Sequence, residues 1–265
     1  MGERGVLILA EADDPSALAV GRALNARACP SQRVGAAELA LASWHHSPDG
    51  GTTRVVLPSG RCLDEGTIGV VLNRLDGVLP PQFARAATDD RDYAVAEFAA
   101  LLSSWLHGLE VPLVNPPETG HAWAPSQHPL GWHVLAVAHG LETDDFIVAS
   151  SLRGGAGTGL SRIGGSAFPR GCDLAGWYRA PRGDGDALRV WVFGEGCVGT
   201  EDAGLAARCT AFVLALGLRC AGLDFVSGSG GWRLVHVDAC PSLEAAVLAV
   251  PCAGWLAGLV EGERG

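Results

Sequence analysis

The chain has 265 residues, 48% of them hydrophobic and 18% charged, which is enough to bury a sizeable core and too apolar for a disordered polymer. Acidic residues number 29 against 19 basic ones, a formal net charge of -10. That balance argues against nucleic acid and against an anionic membrane surface, since both need clustered positive charge. All 19 basic residues are arginine, so the chain contains no lysine. Glycine, at 37 residues, is about twice its ordinary ~7% share.

Cys29, Cys62, Cys172, Cys197, Cys209, Cys220, Cys240 and Cys252 are scattered and form no CxxC pair, which argues against a zinc ribbon. The N-terminus lacks the basic start and apolar core of a secretory signal. No apolar stretch reaches the ~20 residues that span a bilayer. The expectation is a cytoplasmic, reduced protein whose cysteines mostly fill cores.

Val6 to Ala10 reads as a buried strand. Asp14 and Pro15 then supply an N-cap and a first helical residue, and Leu18, Val20, Ala23 and Leu24 share one helical face. A second helix is expected over Gly35 to Ser43. Thr52 to Leu57 and Arg61 to Leu63 flank Pro58-Ser59-Gly60 as a hairpin. Thr67 to Leu72 is an apolar run of the kind found in parallel sheets. An amphipathic helix from about Asp89 to His107 leads to Val111 to Val114. Alternating strand and helix over residues 1–114 predicts an α/β unit with a parallel sheet.

Residues 115–186 differ in texture. A loop at Asn115 to Gly120 precedes a helix over Ser126 to His139 and a short strand at Phe146 to Ala149. From Ser151 to Asp186 glycine, arginine and polar residues dominate, which fits either a mobile linker or a reduced subdomain. Residues 187–265 regain regularity. Leu188 to Phe193 and Cys197 to Thr200 flank a glycine turn, Asp202 caps a helix closed by Gly217, and Arg219 to Val226 and Trp232 to Asp238 form a hairpin. Ser242 is expected to cap a last helix over Leu243 to Val250.

Strand alternation puts His236, Asp238 and Cys240 on one face, with Val235, Val237 and Ala239 on the buried one. A hairpin can set Asp224 opposite His236 or Asp238. Ordinary polar residues at a strand end account for the pattern equally. Asn73-Arg74, at the end of an apolar strand, is either a ligand contact or a loop-stabilising pair. Trp44 with His45 and His46 is either a ligand surface or edge packing. The run Gly154 to Gly159 is a phosphate cradle or a flexible loop, and it lacks the lysine of a P-loop.

Three segments carry a family resemblance. Ala215-Leu-Gly-Leu218, Ala221-Gly-Leu-Asp224 and Leu234-Val-His-Val-Asp-Ala-Cys-Pro-Ser-Leu243 resemble the end of an ATP-grasp domain, in its glutamate-ligase-like and peptide-modifying branches. The resemblance implies an α/β N-terminal unit followed by a reduced ATP-grasp-like α+β domain. It also implies a divalent metal held by Asp224, His236 and Asp238, His236 standing where the family usually has glutamate. Leu188 to Gly194 is similar to the strand bearing a phosphate- or substrate-contacting arginine, which gives Arg189 that catalytic role.

The family grips nucleotide phosphates with two lysines, and this chain has none. Nucleotide binding would fall to Arg153, Arg162, Arg170 and Arg179, whose larger planar groups place donors differently. ATP is therefore doubted. The reading is a non-ligating binding or accessory subunit that works with a partner enzyme, or as a homo-oligomer, on a peptide or small acid. The alternatives are an active carboxylate–amine ligase using arginine, and a metal-dependent protein.

Overall fold

The computed structural model describes residues 4–47, 53–75, 81–117, 129–143, 146–149, 160–162, 175–179, 185–228 and 230–262. Chain contacts divide it into two units, residues 1–126 with 242–265, and residues 127–241.

In the first unit, β1 (Gly5–Leu9) is buried throughout. It leads to α1 (Pro15–Ala26), whose N-cap Asp14 accepts hydrogen bonds from the Ser16 and Ala17 amides as the Asp-Pro pair predicts. β2 (Ser31–Val34), α2 (Ala36–Ala40) and β3 (Ser43–His45) follow. The second helix is thus shorter than expected, because the chain leaves it to pair. β3, β4 (Arg54–Val56) and β5 (Cys62–Leu63) form a small antiparallel sheet, the latter two being the expected hairpin. β6 (Ile68–Asn73), α3 (Thr88–Gly108) and β7 (Leu113–Val114) complete the forward run. The main sheet has the order β2-β1-β6-β7 and every pairing is parallel. Leu7, Leu9 and Val71 meet Phe98, Leu102, Trp105 and Leu106 of α3 in one core.

The second unit starts with α4 (Pro129–Ala138) and β8 (Glu142–Thr143). β9 (Phe146–Ala149), β10 (Leu160–Arg162) and β11 (Ala175–Arg179) form an antiparallel sheet in the order β10-β11-β9. Two stretches of the glycine-rich region are therefore paired strands. β12 (Ala187–Phe193), β13 (Gly196–Val198), α5 (Ala203–Ala215), β14 (Cys220–Gly228) and β15 (Gly231–Asp238) follow, with sheet order β13-β12-β14-β15-β8. Asp202 caps α5, and Gly217 takes the left-handed conformation at φ 74° that ends it. Cys209, Phe212 and Val213 of α5 pack against Val190, Val192, Leu223 and Phe225. Each large apolar side chain buried there contributes about 1.5–3 kcal/mol.

The last helix, α6 (Ala246–Gly262), starts later and runs longer than Leu243 to Val250, with Pro251 inside it. It packs on α1, β1 and β6, and the buried Leu243 amide donates to Ser16 Oγ at 2.9 Å. The final segment thus groups with the first unit, whereas the sequence reading set it with the strands before it. The apolar face of α6 (Leu248, Cys252, Leu256, Val260) finds its partner there. Among the described residues no helix is long and apolar enough to cross a membrane.

Asn73-Arg74 resolves as a structural pair. Arg74 Nε donates to Asp14 Oδ2 at 2.8 Å, with both side chains largely buried. Asn73 Nδ2 donates to the Asn115 carbonyl, and its Oδ1 accepts from the Leu75 amide. Trp44 and His46 are likewise packed. Trp44 Nε1 donates to the Leu39 carbonyl, its ring meets Trp105 edge-on at 5.3 Å, and His46 bonds Thr53 and Ser104.

Burial pushes the Asp14 carboxyl up, but hydrogen bonds from Arg74, Ala17 and Ser16 outweigh it and hold it below its ordinary value. Its stabilisation is therefore present above the unfolded-state pKa of ~3.9 and fades as pH falls through the lower folded value. Asp14→Asn keeps a capping side chain but removes the carboxylate that accepts from Arg74. It should cost about 1.5–3 kcal/mol at pH 7 in chemical denaturation, the scale of hydrogen bonds to a charged group. The loss should shrink as pH falls below the ordinary carboxylate value of ~3.9 and through the lower folded one.

Burial also pushes the Cys209 and Cys252 thiols up to about 12, whereas Cys62 is exposed. A thiol-exchange reagent at pH 8 should label Cys62 and leave Cys209 and Cys252 untouched in the native state, read by peptide mass mapping. Rapid labelling of either buried thiol would contradict this packing.

Candidate functional site

Strand alternation builds the site. On β12, Val190 and Val192 are buried, so Arg189 and Trp191 take the opposite face. On β14, Ala221, Leu223 and Phe225 are buried, which leaves Gly222 and Asp224 on that same outer face. Arg189 pairs directly with Asp224, and Trp191 with Gly222.

β15 would not match this pattern without a break in its register. Phe225 pairs with Leu234 and Asp224 with His236, so Val235 is an extra, bulged residue. Leu234 is fully buried, and Val237 and Ala239 pack beside the same core. Simple alternation had set Val235 on the buried face with Val237 and Ala239. The bulge instead gives the inward position to Leu234 and turns His236 and Asp238 outward. The structure thus brings Arg189, Asp224, His236 and Asp238 onto one face of three neighbouring strands.

Arg189 lies at the centre of this group. Its Nη2 donates to Asp238 Oδ2 at 2.6 Å, and its Nη1 is 3.3 Å from Asp224 Oδ1 and 3.4 Å from Oδ2. The guanidinium carbon sits 5.5 Å from the centre of the Trp191 ring, within cation–π range. His236 Nδ1 lies 3.1 Å from Asp224 Oδ2, with the ring nitrogen as donor. Asp238 Oδ1 accepts from the Cys240 amide at 3.0 Å, which holds the turn after the strand. Cys240 itself lies past the end of β15.

The site is open to solvent. Side-chain exposure is 34% for Arg189, 31% for Asp224, 27% for Asp238 and 62% for His236. Two carboxylates face one guanidinium, so with a neutral imidazole the group has one negative charge in excess. Among the described residues no three His, Cys, Asp or Glu side chains form a ready metal cage. Asp224 touches His236, while Asp238 joins them through Arg189.

The arginines assigned to nucleotide are spread differently. Arg162 lies on β10 opposite Trp177, and Arg179 on β11 opposite Leu160, two register steps apart. Arg153, Arg170 and the Gly154 to Gly159 run lie outside the described residues. Trp191 and Gly222 were not singled out in the sequence as site residues. The signal for both was their place on the outer face of strands bearing Arg189 and Asp224.

No protein-family model and no curated protein matches the sequence. Solved structures match over nearly the whole chain. The ATP-grasp ligase PsnB, complexed with a phosphomimetic variant of a minimal precursor, Mg and ADP, superposes with a TM-score of 0.74 at 14% identity, over 97% of this chain and 99% of its own. The RiPP-associated ATP-grasp ligase of Chryseobacterium gregarium, solved with ADP and a leader and core peptide, gives 0.72 at 12% identity over 98% and 97%. The macrocyclase MdnC of Microcystis aeruginosa, bound to precursor peptide MdnA, gives 0.70 at 11% over 97% and 99%. This chain has the ATP-grasp fold, as its terminal motifs led one to expect.

A double-mutant cycle tests the geometry of the cluster. Arg189→Ala and Asp238→Ala should couple by about 1 kcal/mol at low salt, the scale of a partly exposed pair, and by less at 0.5 M salt. Independent effects would mean that the two groups do not meet.

Proposed function

We propose that the chain is a non-ligating, peptide- or small-acid-binding protein on an ATP-grasp scaffold, acting as an accessory subunit to a partner enzyme. The observation that supports this best is the Arg189 guanidinium seated across Asp224 and Asp238. A cation supplied by the chain already balances one of the two negative charges that would draw a divalent ion. Two sequence features point the same way: His236 stands in place of the second acid, and lysine is absent. Peptide as the ligand class is drawn from the neighbours, which are described with precursor, leader or core peptides.

The donor set is nonetheless of a kind that suits a hard divalent cation, since two carboxylates lie close enough to share one charge. Asp224 and Asp238 would hold such an ion, with His236 beside them, once Arg189 moved aside. Bound Mg-ATP would supply a phosphoryl group to activate a carboxylate. The partial exposure of Arg189, 34% of its side chain, favours a second reading, an active ligase, because the guanidinium keeps a solvent side from which a phosphate could be met. Arg153, Arg162, Arg170 and Arg179 would then be the other candidates for phosphate.

Turnover separates the two. Purified protein incubated with Mg-ATP and a library of short peptides containing Asp, Glu, Ser, Thr and Lys should release no ADP above background. The same protein should retain a subset of those peptides in pull-down by mass spectrometry. Peptide-dependent ADP release, abolished by Asp238→Ala in a folded variant, would establish the ligase instead.

A further inference from the structure

Gly222 has a physical role in the charge cluster that its place in the strand does not require. A Cβ at this position would lie 2.8 Å from Arg189 Nη2, 3.3 Å from Arg189 Cζ and 3.1 Å from Pro241 Cβ. The guanidinium therefore occupies the space a side chain would fill. Arg189 and Asp238 are not direct cross-strand neighbours: Arg189 pairs with Asp224, and Asp238 pairs with Gly222. To reach Asp238, the arginine must pass over Gly222, where any side chain would stand in its way. Trp191, the cross-strand partner of Gly222 on the other side, lies within cation–π range of the guanidinium. Trp191, Gly222 and Pro241 together bound a slot that aims one cation at two carboxylates.

The geometry points to Gly222 as the positioning residue that keeps the Asp224–Asp238 pair closed to divalent cations. Filling the slot drives the guanidinium off Asp238 and leaves two carboxylates without a shared counter-charge. A divalent ion then takes the position. This rests on the reading above that Arg189 stands in for a cation, and it concerns the protein without nucleotide.

Mn2+ is the probe, because the electron paramagnetic resonance signal of the free hydrated ion is lost when it binds a protein. The full-length protein is titrated as wild type, Gly222→Ala and Arg189→Gln, each checked for folding by circular dichroism and thermal melting. Gly222 does not have positive φ, so alanine is compatible with the backbone, and the shortest contact is with the mobile end of a side chain. Both variants should bind Mn2+ at least tenfold more tightly than wild type. Adding Asp238→Asn to either should return it to the wild-type level.

A merely structural glycine would lower the melting temperature without changing the Mn2+ signal, and that result overturns the proposal. So does a wild type that already binds as tightly as Gly222→Ala, or tighter binding in Arg189→Gln without any in folded Gly222→Ala. If Gly222→Ala does not fold, Trp191→Leu replaces it, since removing the ring loosens the same slot, and the same tenfold criterion applies. ATP turnover by the wild type would defeat the accessory-subunit reading, whereas the Mn2+ titration without nucleotide tests the slot by itself, so the two fail separately.

Discussion

One guanidinium reaches across the outer face of three neighbouring strands of a five-stranded sheet, and the local architecture of the second unit is arranged around that reach. Arg189 can touch both Asp224 and Asp238 only because β12, β14 and β15 are neighbours in this order and Gly222 leaves the path clear. Two carboxylates this close repel each other unless a cation lies between them. The arginine supplies it without needing a ligand. Being partly exposed, it supplies it in a solvent-screened setting where the pair contributes little to stability. The arrangement therefore fixes charge and direction more than it fixes the fold.

The fold rests on the opposite face. Val190, Val192, Ala221, Leu223, Phe225 and Leu234 are all buried against α4 and α5. The bulge at Val235 reconciles the two faces of β15. Without it, keeping Leu234 in the core would have turned His236 inward beside it, because a period of two gives both the same direction. One extra residue lets the strand satisfy its core at Leu234 and Val237 and still deliver His236 and Asp238 to the charged face. The bulge is thus the local step that joins folding to chemistry.

Much of this was legible in the chain itself. Asp14-Pro15, Asp202 and Gly217 carry their own local geometry, so the helix ends they set appear where expected. The apolar runs of β1, β6 and β12 and the glycine hairpin before β15 are equally local signals. β2, with Ser31, Gln32 and Arg33, has neither alternation nor an apolar run, and it becomes a strand only because β1 offers it a parallel edge. β3 and β8 are short and take their identity from their partners. The Val235 bulge was hidden for a related reason. Val235, Val237 and Ala239 make a plausible inward row by themselves, and only the pairing with β14 shows that Leu234 has the stronger claim. Asp224, His236 and Asp238 were found through motif spacing, whereas Trp191 and Gly222 required knowing which residues share a face.

The absence of lysine acquires a physical meaning at this site. A lysine ammonium at position 189 would be a point charge, able to sit near one carboxylate at a time or between two in varied geometries. The planar fork of arginine instead presents separate N–H groups to Asp224 and Asp238, and its flat face lies within range of Trp191. That planarity is what makes a slot bounded by a tryptophan, a glycine and a proline an effective constraint, since a compact ammonium would not be held by it. In a chain whose cationic side chains are all arginine, the scaffold has at this point a cation whose direction can be fixed by its neighbours. Small changes in those neighbours, above all one methyl group at Gly222, are then enough to redirect the charge without rebuilding the sheet.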